Sequence, residues 1–182
     1  MEQRTDELER DKQILDIAAK TYAFQFDLRD KLDSKLNNFI AITSTVATLS
    51  IGLALFAFDK IGTSNYYFGY LVVSFGFYIG FFVFAMIIGL AGYKPTKLTW
   101  YPGDPEQMIR DYSHLPNETE VIHIVAASLA EAANKNMEGN ARKSKMCQYV
   151  FWMFILGILA IVVFAAFMIL ALGAMPIANP SS

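Results

Sequence analysis

Three stretches of the chain, Asn37–Phe58, Ile61–Tyr93 and Met146–Ser182, contain no Asp, Glu, Lys or Arg. A water-soluble helix or strand would interleave polar residues at a period of 3.6 or 2, and these runs do not. A hydrocarbon core about 30 Å thick is crossed by about 20 helical residues, and backbone groups in lipid must be satisfied within the segment. The pattern therefore predicts transmembrane helices over residues 39–58, 67–89 and 150–172. No alternation suited to a β-barrel is present.

Residues 1–38 and 94–149 hold nearly all the charge and read as helical extensions. The first has no Pro or Gly before Gly52, so its helix is expected to run directly into the first span. Leu8, Leu15, Tyr22, Leu32, Leu36 and Phe39 fall near heptad a and d positions, interrupted by Asp11, Gln25 and Arg29. About 50 continuous residues would make a rod of about 75–80 Å at 1.5 Å per residue.

After the second span, Lys94-Pro95 ends the helix and Trp100-Tyr101-Pro102-Gly103 reads as a turn. Asp104-Pro105-Glu106 opens a short helix to about His114, broken by Pro116. A longer helix follows Asn117, its N-cap, with Glu120 as the capping partner and Val121, Ile122, Val125, Leu129, Ala132, Ala133 and Met137 apolar. The expected fold class is all-α: a polytopic membrane protein with three transmembrane helices, whose cytoplasmic helical extensions face each other as a stalk. Residues 173–182 are a short extracytoplasmic tail.

Composition changes this picture little: 182 residues are 54% hydrophobic and 18% charged, a bias that matters through its distribution. Charge distribution sets the orientation. Seven Lys or Arg precede the first run, Lys60 alone separates the first from the second, seven lie between the second and third, and none follows. Positive charge marks the cytoplasmic side, which predicts a multi-pass cell-membrane protein with its N-terminus inside and its C-terminus outside. The polar first 38 residues hold no secretory signal peptide, leaving targeting to the first span. Net charge −2 gives no basic field for nucleic acid, and one cysteine excludes an intrachain disulfide or a cysteine zinc cage.

The most informative chemistry is one face of the first helix. At 100° per residue, Asp27, Asp30, Ser34, Asn37, Asn38, Ala41, Ser44, Thr45, Thr48, Gly52 and Asp59 share an arc of about 120°, with Leu55 a large apolar residue inside it and Phe56 another at its edge, level with Asn38. Hydroxyls along an apolar span, with Asp27 and Asp30 at one mouth and Asp59 at the other, suit a cation pathway. One such stripe cannot enclose a pore, so this reading requires a homo-oligomer with the first helix innermost. The alternative is that small and hydroxyl residues serve close helix packing, and Thr43 and Ser50 on the opposite face show that hydroxyls are not confined to the stripe.

Other constellations are weaker. Gly76-x-x-x-Gly80 and Ala85-x-x-x-Gly89 read as a packing face of the second span, and its aromatics as lipid-facing or inter-subunit bulk. Glu120 and His123 share an i, i+3 face used in metal sites, without further ligands nearby, so no metal and no cofactor is expected. Cys147 at the edge of the third span reads as a plain thiol or a palmitoylation site. No phosphate-cradling loop, nucleophile–base pair or intramembrane ionisable residue points to an enzyme or a proton-coupled transporter.

Asp33-Ser34-Lys35-Leu36-x-Asn38 precedes the first span, and Pro95, a helical stretch and Lys143 and Lys145 lead from the second span to the third. In this arrangement, from about residue 10 to 170, the chain resembles the Pycsar transmembrane effector family and, more loosely, SLATT-type membrane effectors of prokaryotic defence. The resemblance implies a membrane-disrupting or ion-conducting effector triggered by a cyclic nucleotide, with Asp33 and Lys35 as the motif residues beside the cytoplasmic mouth. The expectation is a homo-oligomeric, cation-permeable channel in the lipid bilayer; the alternative is a non-conducting scaffold whose cytoplasmic helices recruit a partner.

Overall fold

A computed structural model describes residues 2–93, Arg110 and residues 118–174, with side chains from Glu7. Among the described residues the extended elements are three helices: α1 (Glu2–Ile61), α2 (Phe68–Tyr93) and α3 (Glu118–Gly173). Each contains a stretch long and apolar enough to cross a membrane, so the fold is all-α with three membrane-spanning helices. The expected passage of the first helix into its span without a break is present. The Lys94-Pro95 break, the Trp100–Gly103 turn, the Asp104–His114 helix (Arg110 excepted, which is helical) and the Asn117 cap lie outside the described residues.

The chain divides into two compact units, Met1–Ser34 with Pro95–Ser144, and Lys35–Lys94 with Lys145–Ser182. In the first, the charged unit, α1 and α3 lie side by side in parallel, with Asp11 beside His123 and Gln25 beside Asn140. Buried positions on α1 are Asp11, Ala18, Gln25 and Leu32, every seventh residue; on α3 they include Ile122, Leu129, Asn136 and Lys143, again every seventh. This is the spacing at which two helices keep one seam in contact. Ala18, Ala126 and Leu129 form its apolar centre, with Leu15, Tyr22 and Val125 packed around them.

The second, the membrane unit, is built on a contrast of sizes. α1 contributes Ala47, Ala54 and Ala57, and α2 fills the space with Tyr78 and Phe82, which are fully buried. Phe58, Phe75, Tyr78 and Phe164 meet edge to face or tilted, with Phe58–Phe75 centroids 5.4 Å apart and Tyr78–Phe164 centroids 5.6 Å apart, the arrangement aromatic quadrupoles favour. The Tyr78 hydroxyl donates to the Ser50 carbonyl at 3.0 Å. The aromatics of the second span are thus divided: Tyr78 and Phe82 are core, with Tyr67 and Phe75 packed against it, while Tyr70, Phe77 and Phe84 are exposed as the lipid-facing reading expects.

Of the expected packing face, Ala85-x-x-x-Gly89 is buried and Gly76-x-x-x-Gly80 is not. Apart from the backbone of their own helix, nothing among the described residues lies within 4 Å of where a Cβ would stand on Gly76 or Gly80, whereas Gly89 receives Ile40 and Gly92 receives Leu36 and Met146. Without a hydrophobic drive between helices in lipid, such close approach supplies the dispersion contacts that hold them. Between α1 and α2, Gly62 at φ 68° ends the first helix; its N–H donates to the Phe58 carbonyl at 3.2 Å, an αL cap. Asn65 then accepts from the Tyr67 N–H at 2.9 Å and donates to the Ala171 carbonyl at 3.1 Å, tying the turn to the end of α3.

Candidate functional site

The polar face of α1 begins as a matter of helix geometry, and its exposure depends on what α2 and α3 cover. In the charged unit Asp27 and Asp30 are exposed, Asp27 accepting from Lys31 at 2.6 Å. In the membrane unit Asn37, Asn38, Ala41, Thr45, Thr48, Gly52 and Asp59 are exposed and Ser44 is half-buried. α2 and α3 leave most of this face uncovered, with Asn38 at its edge beside a groove that α3 also lines. Thr43, on the opposite face, is the buried hydroxyl of this span, and its Oγ1 has no hydrogen-bond partner among the described residues.

The hydroxyls of the stripe bond to their own helix. Ser44 and Thr45 donate to the Ala41 carbonyl and Thr48 donates to the Ser44 carbonyl, each at 2.9 Å. Each oxygen has spent its single proton inward and keeps acceptor capacity outward, which is the polarity a cation would meet. Ser44, Thr45, Thr48 and Leu49 surround a shallow depression of about 280 Å³. Asp30 and Asp59 have no ion pair among the described residues.

The two motif residues behave differently. Asp33 is paired: Lys143 of α3 donates to its Oδ1 at 2.5 Å, and Arg29 Nε stands 3.7 Å from its Oδ2. The Lys143 side chain is 3% exposed, so a fully desolvated ammonium depends on this carboxylate. Lys35 is exposed and forms no ion pair among the described residues.

A ladder of buried polar groups completes the charged unit. Asn140 donates to the Gln25 carbonyl at 2.8 Å and to its Oε1 at 3.0 Å, and Asp11, 1% exposed, faces His123 Nε2 at 3.3 Å and Arg10 Nε at 3.7 Å. The heptad interruptions Asp11 and Gln25 are therefore seam residues: Gln25 is bonded to Asn140, whereas the buried Asp11 carboxylate lies near His123 without a hydrogen bond among the described residues. Their counterparts Asn136, Asn140 and Lys143 were not singled out from sequence as buried positions; the available signal is that they continue the 4-3 spacing of Ile122, Ala126, Leu129 and Ala133. Polar groups at such positions fix register at a cost in stability.

His123, read against Glu120 from spacing, thus has Asp11 as its close acidic neighbour. Among the described residues no group of His, Cys, Asp and Glu is placed to hold a metal. On the exposed side of α3, the Lys135 ammonium 2.6 Å away holds Glu131 below the usual carboxylate range, an i, i+4 surface pair of small energetic weight. Compared with protein-family models, curated proteins and solved structures, the chain matches none.

Proposed function

We propose that the protein is a homo-oligomeric, cation-permeable membrane channel in which the polar face of α1 lines the pathway. The observation that supports this reading is that most of the stripe from Asn37 to Asp59 stays uncovered after α1, α2 and α3 have packed together. The stripe is bounded by Asn37 just before the span and Asp59 just after it. Assembled copies would turn both rows inward, with hydroxyl oxygens replacing part of an ion's hydration shell and carboxylates concentrating cations at each mouth. In this proposal the N-terminus is cytoplasmic, the C-terminus is extracytoplasmic, and the resemblance to nucleotide-signalled effectors makes a cyclic nucleotide the candidate trigger.

Current recordings of purified protein in planar bilayers, with and without added cyclic nucleotides, test it. The expected result is a cation current that Thr48→Val reduces and whose selectivity Asp30→Asn and Asp59→Asn weaken. Absence of conductance under both conditions, or anion selectivity unchanged by the Asp variants, overturns the channel.

A second reading, a non-conducting scaffold, is supported by one observation in the charged unit. Ile14, Ile17, Ala126 and Ala130 line an open apolar cavity of about 340 Å³, and Ile17 is 64% exposed. Under that reading Thr45→Val and Thr48→Val leave function intact while Ile17→Asp abolishes capture of the partner.

A further inference from the structure

A second open cavity, of about 460 Å³, lies wholly within the membrane unit, where Lys35, Asn38, Phe39 and Ile42 of α1 face Gln148 and Phe151 of α3. Its lining is ordered along the helix axis. Lys35 is the last charged residue before the charge-free run of α1, Asn38 follows within that run, and Phe39 and Ile42 lie deeper. On α3, Gln148 precedes Phe151 in the same sense, just inside the run that begins at Met146. From Lys35 to Ile42 the helix rises about 10 Å. The cavity therefore passes from cationic, through amide, to apolar in the distance that separates a phospholipid headgroup from its first acyl carbons.

Charge balance marks what belongs there. Lys31 is neutralised by Asp27 and Lys143 by Asp33, but Lys35 has no ion pair among the described residues and no Asp or Glu lines the cavity. A phosphodiester would supply the missing charge, with the Asn38 and Gln148 amides positioned as donors to its oxygens or to the glycerol esters. Phe39, Ile42 and Phe151 would line the upper acyl chain. The volume lies in the range of small-molecule sites, and basic clefts between spanning helices hold anionic headgroups.

We propose that this cavity is a binding site for an anionic phospholipid, with its headgroup at Lys35, Asn38 and Gln148 and an acyl chain along Phe39, Ile42 and Phe151. The site requires that the three helices span a bilayer, and it shares Asn38 with the edge of the polar stripe, so its test reads lipid retention and not current. A zwitterionic lipid would bring the same phosphodiester together with a cation that offsets its charge at Lys35, and a soluble phosphate would leave the aromatic part of the cavity bare.

Native mass spectrometry of the full-length protein, titrated with phosphatidylglycerol, phosphatidylcholine or soluble glycerol phosphate, tests the assignment. The wild-type protein is expected to retain phosphatidylglycerol about fivefold better than phosphatidylcholine, the weight of one Lys at an anionic surface. Lys35→Gln abolishes that preference, Lys35→Arg keeps it, and glycerol phosphate does not compete. Cys147, the one cysteine of the chain, also lines the cavity and reports occupancy independently. Its alkylation by a maleimide in phosphatidylcholine bilayers slows several-fold when phosphatidylglycerol is added, in wild type and Lys35→Arg but not in Lys35→Gln. Equal retention of the two lipids, or a preference that survives Lys35→Gln, overturns the site; competition by glycerol phosphate overturns the lipid in favour of a soluble anion.

Discussion

Removing the two sides of the Asp33–Lys143 pair has unequal consequences. Asp33→Asn keeps the shape and strips the charge, leaving Lys143, whose side chain is 3% exposed, without its carboxylate. An uncompensated buried charge costs about 3–5 kcal/mol. Lys143→Met removes that charge and leaves a side chain of similar length, while Asp33, 28% exposed, keeps water and Arg29 Nε at 3.7 Å; the expected cost is about 1 kcal/mol or less. For a chain of this size each kcal/mol moves the melting temperature by about 2–4 °C. Asp33→Asn should lower the Tm of the detergent-solubilised protein by about 6–20 °C and Lys143→Met by less than about 4 °C, followed by far-UV circular dichroism. The double variant Asp33→Asn/Lys143→Met should match Lys143→Met, because the charge whose desolvation was costly is gone. Equal losses for the two single variants, or a double variant that loses their sum, would refute the reasoning that Lys143 is held charged and buried by Asp33.

Two further substitutions probe the membrane unit. Gly157→Ala places a Cβ 2.5 Å from Phe82 Cε1, and because Phe82 is fully buried the overpacking should cost about 1–3 kcal/mol; resistance to unfolding in sodium dodecyl sulfate reads the loss, and Phe82→Leu on the same chain should recover part of it. Thr43→Val removes a buried hydroxyl that has no partner among the described residues and should be neutral or stabilising by up to about 1 kcal/mol in the same assay, with no change in conductance, in contrast to Thr48→Val; a clear destabilisation would show that Thr43 has a hydrogen bond in the assembled protein.

The spans were legible because charge is costly in lipid, and residues 37–58, 61–93 and 146–182 contain none. The seam of the charged unit was legible on α1, where Leu8, Leu15 and Tyr22 mark it and even its interruptions at Asp11 and Gln25 sit where a heptad places them. Lys143 was not. It stands between Arg142 and Lys145, both exposed, and only a carboxylate 110 residues away distinguishes it from a basic flank. Inside the spans the difficulty is different: lipid and protein interior are equally apolar, so polarity does not say which aromatics face inward. Tyr78 and Phe82 are betrayed instead by the small residues opposite them, Ala47, Ala54, Ala57 and Gly157. The same logic explains why Gly76-x-x-x-Gly80 misled: a small residue permits close approach but only a partner uses it, and within this chain the partners are at Gly89 and Gly92.

The polar residues of α1 fall into two classes by what satisfies them. Gln25 and Asp33 are bonded to polar groups of α3, and their chemistry is consumed in holding two helices in register; Asp11 faces His123, but its buried oxygens make no hydrogen bond among the described residues. Ser44, Thr45 and Thr48 are satisfied by the backbone of their own helix, so their hydroxyls alone would cost little against lipid and do not by themselves demand a pathway. The weight of the channel reading therefore moves to the ends of the stripe. An Asn amide carries two donors and two acceptor sites, and Asn37 remains exposed with no hydrogen bond among the described residues. Asp59 is exposed beside Lys60, whose ammonium lies 5.9 Å over the Phe56 ring instead of on the carboxylate. In a symmetric assembly each copy would add one such carboxylate to the same rim, so the field acting on a permeating ion would grow with subunit number while the hydroxyl lining stayed the same. Cation selectivity would then follow Asp59, and conductance would follow Thr45 and Thr48.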